Sequence, residues 1–210
     1  MKQLDDGSFY DDSIIPAKAP GERLEPGYRS HDFIVNTVTG SSLRLGDFAN
    51  KRLWMAFYRY SGCPVCASHF DEVIAYQKEL KKYKIDFVAI FDSNSANIPD
   101  RVRDAQQPGF YVVGNESKGL YEIFGVEKSL FGLVNLKSAM AVKDALGKGY
   151  KQGSIDGSLL RMPAHFLIEA GGEVIQAHYA KDIGDHISWD KVGDFALLPP
   201  KESEFKLAID

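Results

Sequence analysis

Apolar residues are grouped along this chain in two ways. Some form short continuous runs and others recur at helical spacing, with Gly and Pro marking the joints. Arg52–Tyr60 (RLWMAFYRY) is almost wholly apolar and aromatic, as expected of a strand covered on both faces. After the punctuation SGCP, residues 64–82 place Cys66, Phe70, Val73, Ile74 and Leu80 on one stripe, with Gln77 as a polar interruption, and predict a helix. IDFVAIFDS (85–93) predicts a second buried strand. A helix is expected over 95–107, a strand over 110–114 and a short helix over 117–125. HDFIVNT and SSLRL read as short strands on either side of Thr39-Gly40. AHFLIEA (164–170), Gly171-Gly172 and EVIQAHYA (173–180) form the clearest hairpin, and ISWDKVGDFALL (187–198) reads as a closing helix.

Residues 126–161 interrupt this alternation with a helix predicted over 134–146 and a loop-like GKGYKQGSIDGS. The pattern predicts an α/β fold, a central sheet with helices on both faces. It divides into an N-terminal arm (1–30), one domain (31–198) with an insertion (126–161), and a tail (199–210). The arm carries Pro16, Pro20, Pro26, Gly21 and Gly27 and is expected to be ordered only where it packs on the body or on a second subunit.

Composition narrows the function. There are 25 basic and 29 acidic residues, a net charge of −4, and no basic block, so nucleic acid is not an expected partner. There is no apolar run long enough to span a bilayer, and the acidic start MKQLDDGSFYDD is unlike a signal peptide. The expected location is therefore the cytoplasm, away from membranes. Two cysteines three positions apart in such a reducing compartment point to redox or metal chemistry.

The pair is Cys63-Pro64-Val65-Cys66, between a predicted strand and a predicted helix. Cys63 falls at the helix N-cap, where free N–H groups and the positive end of the dipole favour a thiolate. Pro64 suits the first helical position. Cys66 lies one turn on, placed to close a disulfide, so Cys63 is the expected attacking sulfur and Cys66 the resolving one. Three other readings compete. A structural disulfide closing so short a loop adds only about 2 kcal/mol. A zinc site needs two more ligands; five histidines (31, 69, 165, 178 and 186) offer them without a paired spacing. The third is an inert pair of core cysteines. His69 reads as a surface residue, and no metal or cofactor is expected.

HDFIVNTVTGSSLRLGDF, AFYRYSGCPVC and PAHFLIEAGGEVIQAHYAKDIGDH together resemble the peroxiredoxin-like AhpC/TSA (redoxin) branch of the thioredoxin superfamily. The resemblance implies a thioredoxin-like fold with a five-stranded mixed sheet and a cis-proline facing the thiols. Pro163 matches that position, and a cis peptide there would expose Met162 as a docking edge for an extended disulfide substrate. If Pro163 lies near Cys63, the returning strand brings His178, Tyr179, Lys181, Asp185 and His186 to the same end. His178 is then a substrate-contact candidate, unless this is a solvated loop in which Asp185 caps the last helix. Arg59, four residues before Cys63, would lower its pKa and hold a peroxide oxygen. Typical members resemble P-x-x-x-[ST]-x-x-C, where this chain has Ala56, Tyr60 and Cys63. Tyr60 and Ser61 are the hydroxyls that remain.

The expected function is a dithiol oxidoreductase that reduces a peroxide or a disulfide. An external thioredoxin- or glutathione-type thiol would reset it, and a homodimer is compatible with the sequence. A disulfide reductase without peroxidase activity and a non-enzymatic binding or metal-carrying module are the alternatives. The insertion precedes Pro163 directly, so it is expected either to wall the thiols with Phe131, Leu133, Leu136 and Met140 or to pack these residues on the domain or a second subunit.

Overall fold

The computed structural model describes residues 15–115 and 119–199, with the backbone of Lys2–Gln3 (β1) and Phe9–Tyr10 (β2), which pair antiparallel. The rest of the arm's start, the tail from 200 onward and residues 116–118 of the expected helix lie outside the described residues. Ile34–Asn36 (β3) and Ser42–Arg44 (β4) pair as a separate small hairpin. The main sheet contains Arg52–Tyr58 (β5), Ile85–Phe91 (β6), Phe110–Gly114 (β7), Ala164–Ile168 (β8) and Val174–Tyr179 (β9). Its order is β7-β6-β5-β8-β9, parallel from β5 to β7 and antiparallel from β5 through β9.

All seven residues of β5 are buried because helices cover both faces of the sheet. The two-residue side-chain period divides them. Trp54, Ala56 and Tyr58 join Phe70, Phe87 and Phe91 on one face. Leu53, Met55 and Phe57 join Val88, Phe166, Tyr121 and Phe124 on the other. The hairpin between β8 and β9 turns at Gly171 (φ 88°) and Gly172 (φ 91°), a backbone that side chains resist.

The helices are shorter than their sequence patterns. Pro64–Ala75 (α1) and Gln77–Lys82 (α2) are separate because Tyr76 leaves helical geometry (φ −93°, ψ 8°), its ring set 4.4 Å from that of Trp189. The helix expected over 95–107 is reduced to one 3₁₀ turn at Ser95–Asn97 and Asp100–Arg103 (α3). Pro99 is the cause, since it drives Ile98 into an extended conformation (φ −64°, ψ 120°). Gly119–Ile123 (α4) follows β7. The insertion carries Leu130–Leu133 (α5) and Leu136–Gly147 (α6), and Trp189–Leu197 (α7) closes the domain.

The described part of the arm lies on the body. Gly27 N donates to Val174 O, Val174 N to Tyr28 O and Ser30 N to Gly172 O, so residues 27–30 shield the start of edge strand β9. A buried ion pair ties the far end. Arg52 bonds Glu169 through Nε at 3.1 Å and sends its other nitrogens to the Ala196 and Leu198 carbonyls at the end of α7.

Candidate active site

Strand β5 delivers the chain through Arg59-Tyr60-Ser61-Gly62 to the first turn of α1. Cys63 is its N-cap (φ −75°, ψ 122°) and Pro64, at the first helical position, is buried there. Ala67 N donates to Cys63 O, the first bond of the helix. Both thiols are free and buried, with Cys63 1% and Cys66 0% exposed.

The two sulfurs are electrostatically unlike. The Cys63 pKa is lowered to about 6, chiefly by a hydrogen bond from the Cys66 thiol. Burial opposes that shift, and the Arg59 cation and the backbone N–H groups of Cys66 and Val65 assist it. Cys66 is pushed well up by burial and by its anionic neighbour. Arg59 is itself buried. Its Nη1 donates to Cys63 Sγ at 3.4 Å and its Nη2 to Leu159 O at 2.6 Å. Tyr60 packs its ring on Arg59 and donates its hydroxyl to Gln152 Oε1. Burial, then the nearby Cys63, raises the Tyr60 pKa, so the hydroxyl stays protonated. Ser61 is bonded elsewhere, its N–H donating to Ser93 Oγ and its hydroxyl to Asn97 O.

Residues 150–161 form a strap fastened to the residues that lead into Cys63. Gly153 N donates to Gly62 O at 2.8 Å, and a Cβ on Gly62 would collide with the Ser154 backbone. Gly157 lies so close to Asp92 O that it too has no room for a side chain. Asp156 accepts from Ser93 Oγ (2.6 Å) and Asn97 Nδ2 (2.9 Å). At the end of the strap, Asp92 Oδ2 accepts from Ser158 N and Arg161 Nε.

Several expectations are corrected by this arrangement. Phe131, Leu136 and Met140 neither wall the thiols nor pack on the domain; they are 88%, 77% and 61% exposed, and of the four only Leu133 packs on the core. Leu136 and Met140 lie on the outer face of α6, which turns Ser138 and Ala145 inward, and Phe131 lies on α5. The peptide before Pro163 is trans, as are all those among the described residues. Met162 is 4% exposed and its N–H donates to Glu127 O, while Arg161 bridges Lys128. The insertion's own first residues have taken the expected docking edge.

The hairpin does bring His178 and Tyr179 back to the Pro163 end, where Ala180 N donates to Pro163 O. These residues have other partners. His178 Nε2 bonds Asp185 O, and Asp185 accepts from Lys181 N, so Asp185 closes its own loop and does not cap α7. Tyr179 donates to Phe124 O.

His69 is buried, contrary to its surface reading, and meets His165 and His186. Trp54 Nε1–H donates to His165 Nδ1 at 3.3 Å. The indole can only donate, so the His165 proton sits on Nε2 and points at His186 Nδ1, 2.9 Å away. The Tyr58 hydroxyl bonds His69 Nδ1 at 2.9 Å, and the His69 and His186 rings stack at 3.9 Å. Burial pushes all three pKa values well down, leaving neutral imidazoles. The one signal in the sequence is His165 at the centre of an apolar strand. Asp156, Gln152 and Ser93, which hold the strap, carry no local signature.

Comparison with known proteins gives the family and the fold. The AhpC/TSA family model matches residues 26–177. Prostamide/prostaglandin F synthase from Danio rerio is 25% identical over 152 residues, covering 69% of this chain and 73% of that protein. A peroxiredoxin-like protein from Aquifex aeolicus superposes with a TM-score of 0.59 at 15% identity, covering 87% of this chain and 94% of the other. The thiol peroxidase from Chromobacterium violaceum gives 0.58 at 11% identity, covering 88% and 95%.

Proposed function

Since this chain belongs to the AhpC/TSA family and is a thiol oxidoreductase, we propose that its oxidant is a small hydroperoxide and that Cys63 is the sulfur attacked by it. One observation carries the choice: an activated Cys63 is only 1% exposed while the Met162 edge is already paired. A protein disulfide needs both an open sulfur and a free edge to dock on. A hydroperoxide needs only a narrow path and a cation near the sulfur.

In the proposed cycle the Cys63 thiolate attacks the terminal peroxide oxygen. The O–O bond breaks, sulfur is oxidised to the sulfenic acid, and the alkoxide or hydroxide leaves with a proton as alcohol or water. Arg59, 3.4 Å from the sulfur, stabilises the thiolate and the charge moving onto the leaving oxygen. The Cys66 thiol then attacks the sulfenic sulfur. The S–O bond breaks, its oxygen departs as water with the Cys66 proton, and a Cys63–Cys66 disulfide remains. Two reducing equivalents from an external thiol of the thioredoxin or glutathione type restore the pair. We place this cycle in a reducing compartment such as the cytoplasm. Tyr60, whose carbonyl accepts from Cys63 N, and Pro64, which follows it, are assigned to the peroxide contact.

The test compares second-order rates of the reduced protein with hydrogen peroxide and with a small disulfide. The expected result is a peroxide rate well above that of free cysteine and above the disulfide rate. Cys66→Ser should accumulate a trappable sulfenic acid, and Cys63→Ser should consume no peroxide. A peroxide rate equal to that of free cysteine overturns the proposal, and a faster disulfide rate transfers the site to disulfide reduction.

A further inference from the structure

We propose that His69, His165 and His186 form a binding site for one borderline divalent transition-metal ion, zinc above all, with an open coordination position facing the cleft between α1 and α6. The inference is independent of the peroxide reading and of the two thiols. Three elements distant in sequence converge on this point: α1, strand β8 and the segment before α7. One nitrogen of each ring lies within 4.8 Å of the other two. Zinc–nitrogen bonds of about 2.0–2.1 Å would draw such a trio together by ring movements of roughly an ångström.

One buried nitrogen itself points to a missing ligand. His69 Nε2, the atom that would ligate, is enclosed without a hydrogen-bond partner, which native interiors rarely tolerate. The His69 and His186 rings line a cleft of about 220 Å³ together with Ser68, Glu72 and Asp144, which gives a cation an entry path. The donor chemistry fits as well, since neutral imidazole is the form that ligates and an all-nitrogen set suits zinc, copper or nickel. The rings are already oriented from behind. With its proton on Nδ1 donated to the Tyr58 oxygen, His69 presents Nε2 to the metal. His186 already has a lone pair on Nδ1, facing His165 Nε2.

The cost falls on His165, whose 2.9 Å bond to His186 Nδ1 is given up when both nitrogens turn to the metal. To ligate through Nε2 it must carry its proton on Nδ1, and the Trp54 N–H loses its acceptor. The Trp54 bond, at 3.3 Å, is the longest of the network, and two neutral hydrogen bonds are weak beside a set of metal–nitrogen bonds.

The experiment measures zinc retained after dialysis, and the visible spectrum with cobalt(II), for the full chain and for Cys63→Ser/Cys66→Ser. About one zinc per chain is expected in both, as for a single three-histidine site. The cobalt d–d bands should lack sulfur-to-cobalt charge transfer. His165→Gln and His186→Gln should abolish retention, and Tyr58→Phe should weaken it by about tenfold. Failure of the double cysteine variant to hold zinc, or a cobalt spectrum showing thiolate ligation in the full chain, overturns the site. Because the double variant leaves the histidine cluster untouched, its result stands whether or not the histidine variants fold.

Discussion

At Cys63 one sulfur is acted on by opposing influences, and their order decides its reactivity. Burial alone would raise its pKa, as it does for Cys66. The Cys66 thiol proton, the Arg59 cation and the first N–H groups of α1 outweigh it. Thiolate therefore predominates above a midpoint of about 6 and is lost below it. Iodoacetamide alkylation of reduced protein should rise through that midpoint and level off at neutral pH. Arg59→Met should move the midpoint up by roughly a pH unit and slow peroxide consumption. The sign follows from the charge removed, since a lost cation always favours the neutral thiol. This much of the site was legible in the order Cys-Pro-x-Cys after an apolar strand, because capping and proline geometry are local. Whether Arg59 faced the sulfur was not legible, because alternation along a strand buried on both faces gives no preferred side.

At the level of elements, the runs that formed strands were readable because continuity and period are properties of a few neighbouring residues. The helix expected over 95–107 failed where Pro99 overruled an otherwise suitable pattern. The strap over 150–161 was unreadable for a different reason. Its conformation depends on glycine meeting backbone, and on Asp156 reaching Ser93 and Asn97 some sixty residues away. Asp156→Ala removes both bonds and should loosen the strap without touching either thiol. Cys63 alkylation at pH 8 should become about tenfold faster, the equivalent of about 1.4 kcal/mol off the closed state. Limited proteolysis should show new cleavage within the strap.

For the molecule as a whole, the two ends of the domain are fastened to one sheet at separate points. Residues 27–30 hold β9, and Arg52 holds Glu169 together with the last carbonyls of α7. Arg52→Met leaves Glu169 buried without its cation and α7 without its tether. A loss of about 3–5 kcal/mol is expected in denaturant unfolding, with reactivity at Cys63 retained in the folded fraction. The three histidines belong to this scale as well. No window of sequence contains them, and only closure of the fold brings them together. The contact between Gly62 and Gly153 has its own consequence at this scale. Two residues without side chains meet one position before the reactive cysteine, so a path to its sulfur past this contact is only as wide as the gap that opens when their backbones part. That narrowness makes the passage a sieve. Hydrogen peroxide should enter with little disturbance, branched organic hydroperoxides more slowly, and folded proteins not at all.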